Sequence, residues 1–210
     1  MFRLRSIQRY PLITNTVVAL IYIVIAKWSL TFATVQANVT AIWPPTGFTI
    51  AMFLLLGKSV APAVFLGAFV TNVTTEGSIL TSLGIALGNT LEGLVGAFLV
   101  SRFAGGINAF KLPSWVFRFA LFAGIVAPMV SATIGVASLY LGGYLILVDP
   151  FVVWLTWLLG DMGGAMIVTP LILLWYTDPS LTILVKRPKR IIFAMAILCA
   201  ASFLVFANIF

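Results

Sequence analysis

Three ionisable side chains, Lys27, Glu92 and Asp161, fall within long apolar stretches of the sequence. An ionisable group at mid-bilayer costs about 2.5–3.5 kcal/mol on insertion scales, so such residues usually face neighbouring helices or a cavity and find polar partners there. A buried carboxyl group can hold a polar ligand or a proton, and Lys27 is a candidate ion-pair partner of Asp161. The sequence therefore directs attention to these three positions.

The sequence gives little support for metal binding or enzyme chemistry. The chain has no histidine, and its one cysteine, Cys199, lies in an apolar run. Histidine-ligated zinc or haem, a histidine general base and a thiolate metal site are therefore not expected. The five acidic residues are scattered, and no phosphate-binding loop or nucleophile–histidine pair is present. We expect no enzyme activity, no metal and no cofactor.

Glu92 lies in a glycine-rich segment. Gly84, Gly88, Glu92 and Gly96 are spaced four residues apart and share one helix face, with Asn89 close by. Glycines on such a face let another helix backbone approach closely. Two interpretations stay open: a close-packed crossing with a structural carboxyl group, or a binding site for a ligand or a proton.

Two further groups contribute candidate ligand-binding residues. Trp157 and Asp161 share a helix face in a tryptophan-rich run. Trp43 opens a Trp-Pro-Pro-Thr-Gly turn, which we expect near the outer surface as an interfacial anchor or as the lip of a pocket, with Asn72 at the outer end of the next span. Ser131 and Thr133 follow Pro128 in a segment of small residues that indicates helix packing, although both could face a cavity. The predicted ligand-binding set is Trp43, Asn72, Asn89, Glu92, Trp157 and Asp161.

The elements that must position these residues are membrane-spanning helices. The chain has 210 residues, of which 62% are apolar and 8% are charged, whereas soluble domains carry about 25% charged residues. A span needs about 17–25 apolar residues. This predicts an all-α, polytopic transmembrane bundle in a single domain, 1–210. The seven predicted spans are 11–34, 40–57, 59–75, 79–102, 115–140, 151–176 and 191–210.

The distribution of basic residues predicts the orientation. Lys and Arg concentrate in cytoplasmic loops. With a cytoplasmic N-terminus, every basic residue except Lys27 falls on the cytoplasmic side, which excludes a nucleic-acid interface as the reason for the net charge of +7. The chain ends at Phe210 without a polar tail, so we expect a domain from a longer protein, in which an eighth span would return the chain to the cytoplasm.

Five motifs occur in a fixed order: IWPPTG at 42–47, FLGAFVTN at 65–72, LGIALGNTLE at 83–92, SATIGV at 131–136, and WLTWLLGD at 154–161 with Thr169-Pro170. Together they resemble the bacterial membrane-associated sensor domain of the MASE type, first described subgroup. The match extends over about residues 40–176. The resemblance implies a sensory input domain of about eight spans, followed in the whole protein by a cytoplasmic output domain such as a histidine kinase or a cyclic-di-GMP enzyme.

The functional prediction is thus a multi-pass sensor of the bacterial inner membrane. It would be in contact with lipid, bind an unidentified small ligand or respond to membrane state, and self-associate as a homodimer. One alternative is the substrate-binding membrane subunit of a transporter, such as a vitamin-uptake component paired with an ATPase. Another is a structural scaffold, in which neutralising Glu92 or Asp161 would harm stability alone.

Overall fold

The computed structural model describes residues 10–36, 39–40, 42–75 and 77–178. The chain divides into two compact units, Met1–Leu173 and Leu174–Phe210. Apart from the last turn of the sixth helix, the features below belong to the first unit. The predicted seventh span, 191–210, lies outside the described residues.

Most of the described chain is helical. The helices are α1 (Pro11–Leu30), α2 (Pro44–Leu56), α3 (Ala61–Val73), α4 (Ile79–Phe103), α5 (Pro113–Leu141) and α6 (Pro150–Thr177). Four of them, α1, α4, α5 and α6, are long and apolar enough to cross a membrane, whereas α2 and α3 are shorter apolar helices. The helical bundle is confirmed, while the predicted count of about seven spans is not.

A short two-stranded ribbon joins α1 to α2 within the otherwise helical fold. Strand β1 (Ala33–Gln36) pairs antiparallel with β2 (Val39–Thr40). The predicted spans 11–34 and 40–57 extended into this segment. Its β-branched residues favour extended backbone over helix, which explains why α1 ends at Leu30 and α2 begins only at Pro44.

Helix α2 begins against the middle of α6. The backbone N–H of Trp43 donates to the carbonyl oxygen of Gly160 at 2.9 Å. A helix N-terminus leaves four N–H groups without intrahelical partners, and Pro44 and Pro45 remove two of them because proline has no N–H. The Trp-Pro-Pro turn is packed inside the bundle, with Trp43 only 7% exposed.

Glycines on α4 permit the close helix crossing that the sequence predicted. A Cβ on Gly84 or Gly88 would press on Ser138 or Ile134 of α5. On another side of the helix, a Cβ on Gly93 would overlap Thr49 of α2. Because these positions lack side chains, α4 packs tightly between α2 and α5.

Helix α5 contains an irregular segment on the N-terminal side of Ser131. A π-helical segment, Phe122–Val126, interrupts the helix, and Pro128 follows two residues later. Proline cannot donate the i→i−4 hydrogen bond, and π-turns commonly occur where a helix ladder is disturbed. Ser131, one turn after this proline, is fully buried.

Candidate functional site

Two carboxyl groups from different helices meet at one hydroxyl group inside the bundle. The Oγ1 atom of Thr46 on α2 lies 3.1 Å from Oε2 of Glu92 on α4 and 2.9 Å from Oδ1 of Asp161 on α6. All three side chains are buried, with exposed fractions of 3%, 1% and 0%. Glu92 and Asp161 lie near the middle of their helices. The sequence placed both acids in one predicted site but did not predict that a single hydroxyl group joins them.

Each carboxyl group also presents one oxygen without a hydrogen-bond partner. Oε1 of Glu92 and Oδ2 of Asp161 are buried, and neither accepts a hydrogen bond from any described residue. A buried polar atom in that condition loses its hydration without replacement, which costs about 1–3 kcal/mol, or more if the group is charged. Two such atoms on neighbouring side chains indicate a place for a bound partner.

A chain of neutral hydrogen bonds runs beside the carboxyl groups. Nε1 of Trp157 donates to Oγ of Ser131 at 3.2 Å, and that hydroxyl donates to Oδ1 of Asn89 at 2.8 Å. Nδ2 of Asn89 then donates to the hydroxyl of Tyr22 at 3.1 Å. The chain thus connects α6, α5, α4 and α1, which are the four full-length helices.

Ser131 joins this chain to the carboxyl pair, because its side chain lies next to both Glu92 and Asp161. We call the combined set the polar cluster. Its members are Tyr22, Thr46, Asn89, Glu92, Ser131, Trp157 and Asp161.

Backbone contacts hold the start of α2 at the polar cluster. A Cβ on Gly47 would overlap the carbonyl oxygen of Gly164 on α6. The Oγ1 atom of Thr169, also on α6, donates to the carbonyl oxygen of Gly47 at 3.0 Å. The positive end of the α2 dipole therefore lies beside two acidic groups, an arrangement that favours negative charge.

The remaining predicted residues lie elsewhere or act differently. Asn72 is buried, but its Nδ2 donates to the carbonyl oxygen of Ala68 within α3. Nζ of Lys27 donates to Oγ1 of Thr75 at 2.7 Å, so the structure brings Lys27 to Thr75 and not to Asp161. The side chain of Trp43 lies next to Tyr22, and its backbone N–H donates to Gly160 of α6.

Sequence reasoning brought Asn89, Glu92, Trp157 and Asp161 into one predicted site, and the structure does place these four together. Three members of the polar cluster were outside the predicted set: Ser131, which the sequence allowed only to face a cavity, Thr46 and Tyr22. The position of Thr46 could have been recognised, because it follows a Pro-Pro pair at the first turn of a helix. Tyr22 lies in a uniformly apolar stretch, and no neighbouring residue marks its role.

The arrangement resembles a site for a small positive species more than a site for metal catalysis. Within the described residues, no group of three or more histidine, cysteine, aspartate or glutamate side chains could hold a metal ion. Instead, two carboxyl groups, hydroxyl groups and an amide converge in the buried interior of the bundle. Such a set can exchange protons or accept hydrogen bonds from a ligand.

Comparison with known proteins identifies the family. The MASE1 family model matches residues 14–210. The chain belongs to the MASE1 family. MASE1 is a family of membrane-associated sensor domains, which confirms the resemblance seen in the sequence motifs. No curated protein and no solved structure matches the chain.

Proposed function

We propose that this MASE1 chain is the sensory input domain of a bacterial signalling receptor, and that the polar cluster is its sensing element. A change in what the cluster binds alters helix packing, and the altered packing regulates a cytoplasmic output domain, either a histidine kinase or a cyclic-di-GMP enzyme. The family supports the general role. The observation that carries the assignment to the cluster is the meeting of Thr46, Glu92 and Asp161 with two buried, unpartnered carboxyl oxygens.

The cluster is well placed to control helix packing. Its members come from α1, α2, α4, α5 and α6, so a change at one residue affects contacts among five helices. A ligand shifts a conformational equilibrium only by binding one arrangement more tightly than the other. Binding at the carboxyl pair supplies such a difference, because it changes the charge between α2, α4 and α6.

Helix α2 is the element that a change at the carboxyl pair reaches most directly. Thr46 in its first turn contacts both acids, and the same turn is attached to α6 by the Trp43–Gly160 hydrogen bond and by Thr169. Small displacements at packed interfaces can switch between discrete arrangements. Movement of α2 would be carried by the tight turn at Gly57 into α3.

The proposal includes an inner-membrane location and a cytoplasmic N-terminus, supported by the concentration of basic residues in the predicted cytoplasmic loops. It also includes self-association as a homodimer, because output domains of these classes commonly work in pairs. Lipid surrounds the bundle, in keeping with exposed apolar side chains such as Leu12, Phe117 and Leu141.

The test is an Asp161→Asn substitution in the intact receptor expressed in its own cells. We expect the output to lose its response to stimulus, because asparagine preserves the shape of the side chain but cannot become charged. The output would be read as kinase phosphorylation or as the cyclic-di-GMP level, with membrane fractionation to verify insertion.

Asp149→Asn is the matched control. Asp149 is exposed at the start of α6, where its Oδ1 accepts a hydrogen bond from the backbone N–H of Phe151, and asparagine retains that acceptor. This variant should respond normally. A normal response in the inserted Asp161→Asn receptor would remove Asp161 from the sensing element.

A further inference from the structure

Thr46 cannot make hydrogen bonds to both acids if both are ionised. A hydroxyl group has one hydrogen to donate, whereas an ionised carboxyl group can only accept. Oγ1 of Thr46 lies within hydrogen-bond distance of an oxygen on Glu92 and of one on Asp161. Both contacts become hydrogen bonds when one carboxyl group carries a proton: the acid donates to Oγ1 of Thr46, and Thr46 donates to the other carboxylate.

The surrounding described helices bring no basic side chain to compensate for two negative charges. From α1, Tyr22 is a neutral phenol hydrogen-bonded by Asn89, and Nζ of Lys27 is on Thr75. Helices α2 and α3 contain no ionisable side chain. Within the described residues, no basic side chain therefore reaches the pair from these elements.

The ionisable groups of the remaining helices are also directed elsewhere. On α5, Arg118 donates to the carbonyl oxygen of Phe103, and Tyr140 is 64% exposed. On α4, the guanidinium group of Arg102 lies over the ring of Phe103, at the end of the helix. Two adjacent buried charges of the same sign strongly disfavour each other, so one is neutralised by whatever positive species the site admits.

We propose that Glu92 and Asp161 form a proton-binding pair that shares a single proton through Thr46, and that proton occupancy is the state that the sensor reads. The statement that the sensor reads proton occupancy rests on the proposed function. The shared proton itself is independent of that function. One negative charge remains, next to the positive end of the α2 dipole.

A proton fits the site better than a metal cation. Hard cations such as Ca²⁺ and Mg²⁺ take six or more oxygen ligands. Here the unpartnered acceptors are Oε1 of Glu92 and Oδ2 of Asp161, and Oγ1 of Thr46 is already shared by the two acids. A proton requires one donor bond and no wider coordination shell.

The experiment is infrared spectroscopy of the purified chain in lipid bilayers, with and without carbon-13 labelling of aspartate and glutamate. A protonated carboxyl group has a C=O stretching band that is separate from carboxylate bands and is shifted by the label. The sequence has only five acidic residues, so few bands compete. We expect one carboxylic acid per chain at neutral pH, which disappears in the Glu92→Gln/Asp161→Asn double variant and persists in Asp149→Asn.

Three results would overturn the shared proton. An absent band in the wild-type chain would mean that both acids are ionised. Band intensity for two carboxylic acids would mean that no proton is shared. A band that survives in the double variant would belong to other residues. Repeating the wild-type measurement in sodium chloride and in choline chloride shows whether a cation takes the place of the proton. If the band is missing and sodium alone stabilises the protein against unfolding, the pair is a cation site.

The role of Thr46 is tested by comparing two valine variants that keep the wild-type fold, Thr46→Val and Thr49→Val. Thr46→Val removes the shared hydroxyl and should shift the frequency of the carboxylic-acid band. Thr46→Ser keeps the hydroxyl group and should show the carboxylic-acid band at the wild-type frequency. Thr49→Val is the matched control, because Thr49 is on the same helix and buried, and its Oγ1 has no partner among the described residues. Equal spectra for Thr46→Val and Thr49→Val would overturn the bridging role.

The two proposals can fail separately. A normal carboxylic-acid band together with a normal output from Asp161→Asn would leave the proton in place and remove the sensing function. A missing band together with lost output from Asp161→Asn would keep the sensing function and exclude the proton as its ligand.

Discussion

Gly164 of α6 lies directly against the peptide group that precedes α2, so that a Cβ at this position would overlap the carbonyl oxygen of Trp43. The contact is backbone to backbone and cannot be relieved by rotating a side chain. It fixes the depth at which α2 begins, and therefore the place of Thr46 between the two acids.

The first prediction concerns this contact. Gly164→Ala should destabilise the fold by about 1–3 kcal/mol, the usual cost of overpacking a core, because α2 must shift away from α6. The measurement is reversible unfolding in mixed micelles. We also expect altered output, since the shift displaces Thr46 from the acids.

The adjacent residue provides the control for that prediction. A Cβ at Gly163 would meet nothing within 4 Å. Gly163→Ala should therefore unfold like the wild type or at slightly higher denaturant, because alanine favours helix over glycine. Equal destabilisation of the two variants would contradict the proposed backbone contact.

The second prediction concerns the indole of Trp157. Trp157→Phe removes the donor to Ser131 and leaves space beside Gly135, against which the indole ring packs. Hydrogen bonds in membrane proteins average about 0.6 kcal/mol, so with the loss of packing we expect destabilisation of about 1 kcal/mol. We also expect a changed response to stimulus, measured as in the intact receptor above.

Trp154→Phe serves for comparison. Trp154 is on the same helix, and its Nε1 donates at 3.1 Å to Oγ1 of Thr133, outside the polar cluster. This variant should lose a hydrogen bond of similar strength and keep the normal response. A similar loss of response in both variants would argue that the output follows stability and not the cluster.

The third prediction separates two roles for Lys27. Its Nζ is bound to Thr75, and the residue is not part of the polar cluster. Lys27→Met should therefore change the unfolding free energy by no more than about 0.5 kcal/mol and leave the output intact. If Lys27→Met instead abolished the response, and combining it with Asp161→Asn restored it, the ion pair expected from the sequence would be supported.

The sequence was informative where free energy forces a choice. Charged groups in apolar runs are costly, so Glu92 and Asp161 could be recognised as interior residues without a structure. Glycines at four-residue spacing on α4 likewise predicted a close crossing, and the structure places α5 there. Helix positions followed from apolar length, with bounds that agree to within a few residues for α4 and α6.

The sequence was less informative where position depends on tertiary contacts. Apolar length alone made 40–57 look like a full span, but the depth of α2 is determined by the contact of Trp43 with Gly160 and Gly164. The partnership of Thr46 with both acids depends on that depth. Tyr22 became visible only when α1 packed against Asn89.

The position of the carboxyl pair along its helices has an electrical consequence. Moving one elementary charge across a whole membrane through 100 mV changes its free energy by about 2.3 kcal/mol. Glu92 and Asp161 lie near the middle of full-length helices, so a charge that reaches them from one side crosses roughly half of that potential difference. Half of 2.3 kcal/mol is about 1.2 kcal/mol, so the binding constant of the pair for a proton would change about sevenfold for each 100 mV. If the pair binds a proton as proposed, we expect the domain to respond to the voltage across the membrane as well as to the composition of the solution on either side.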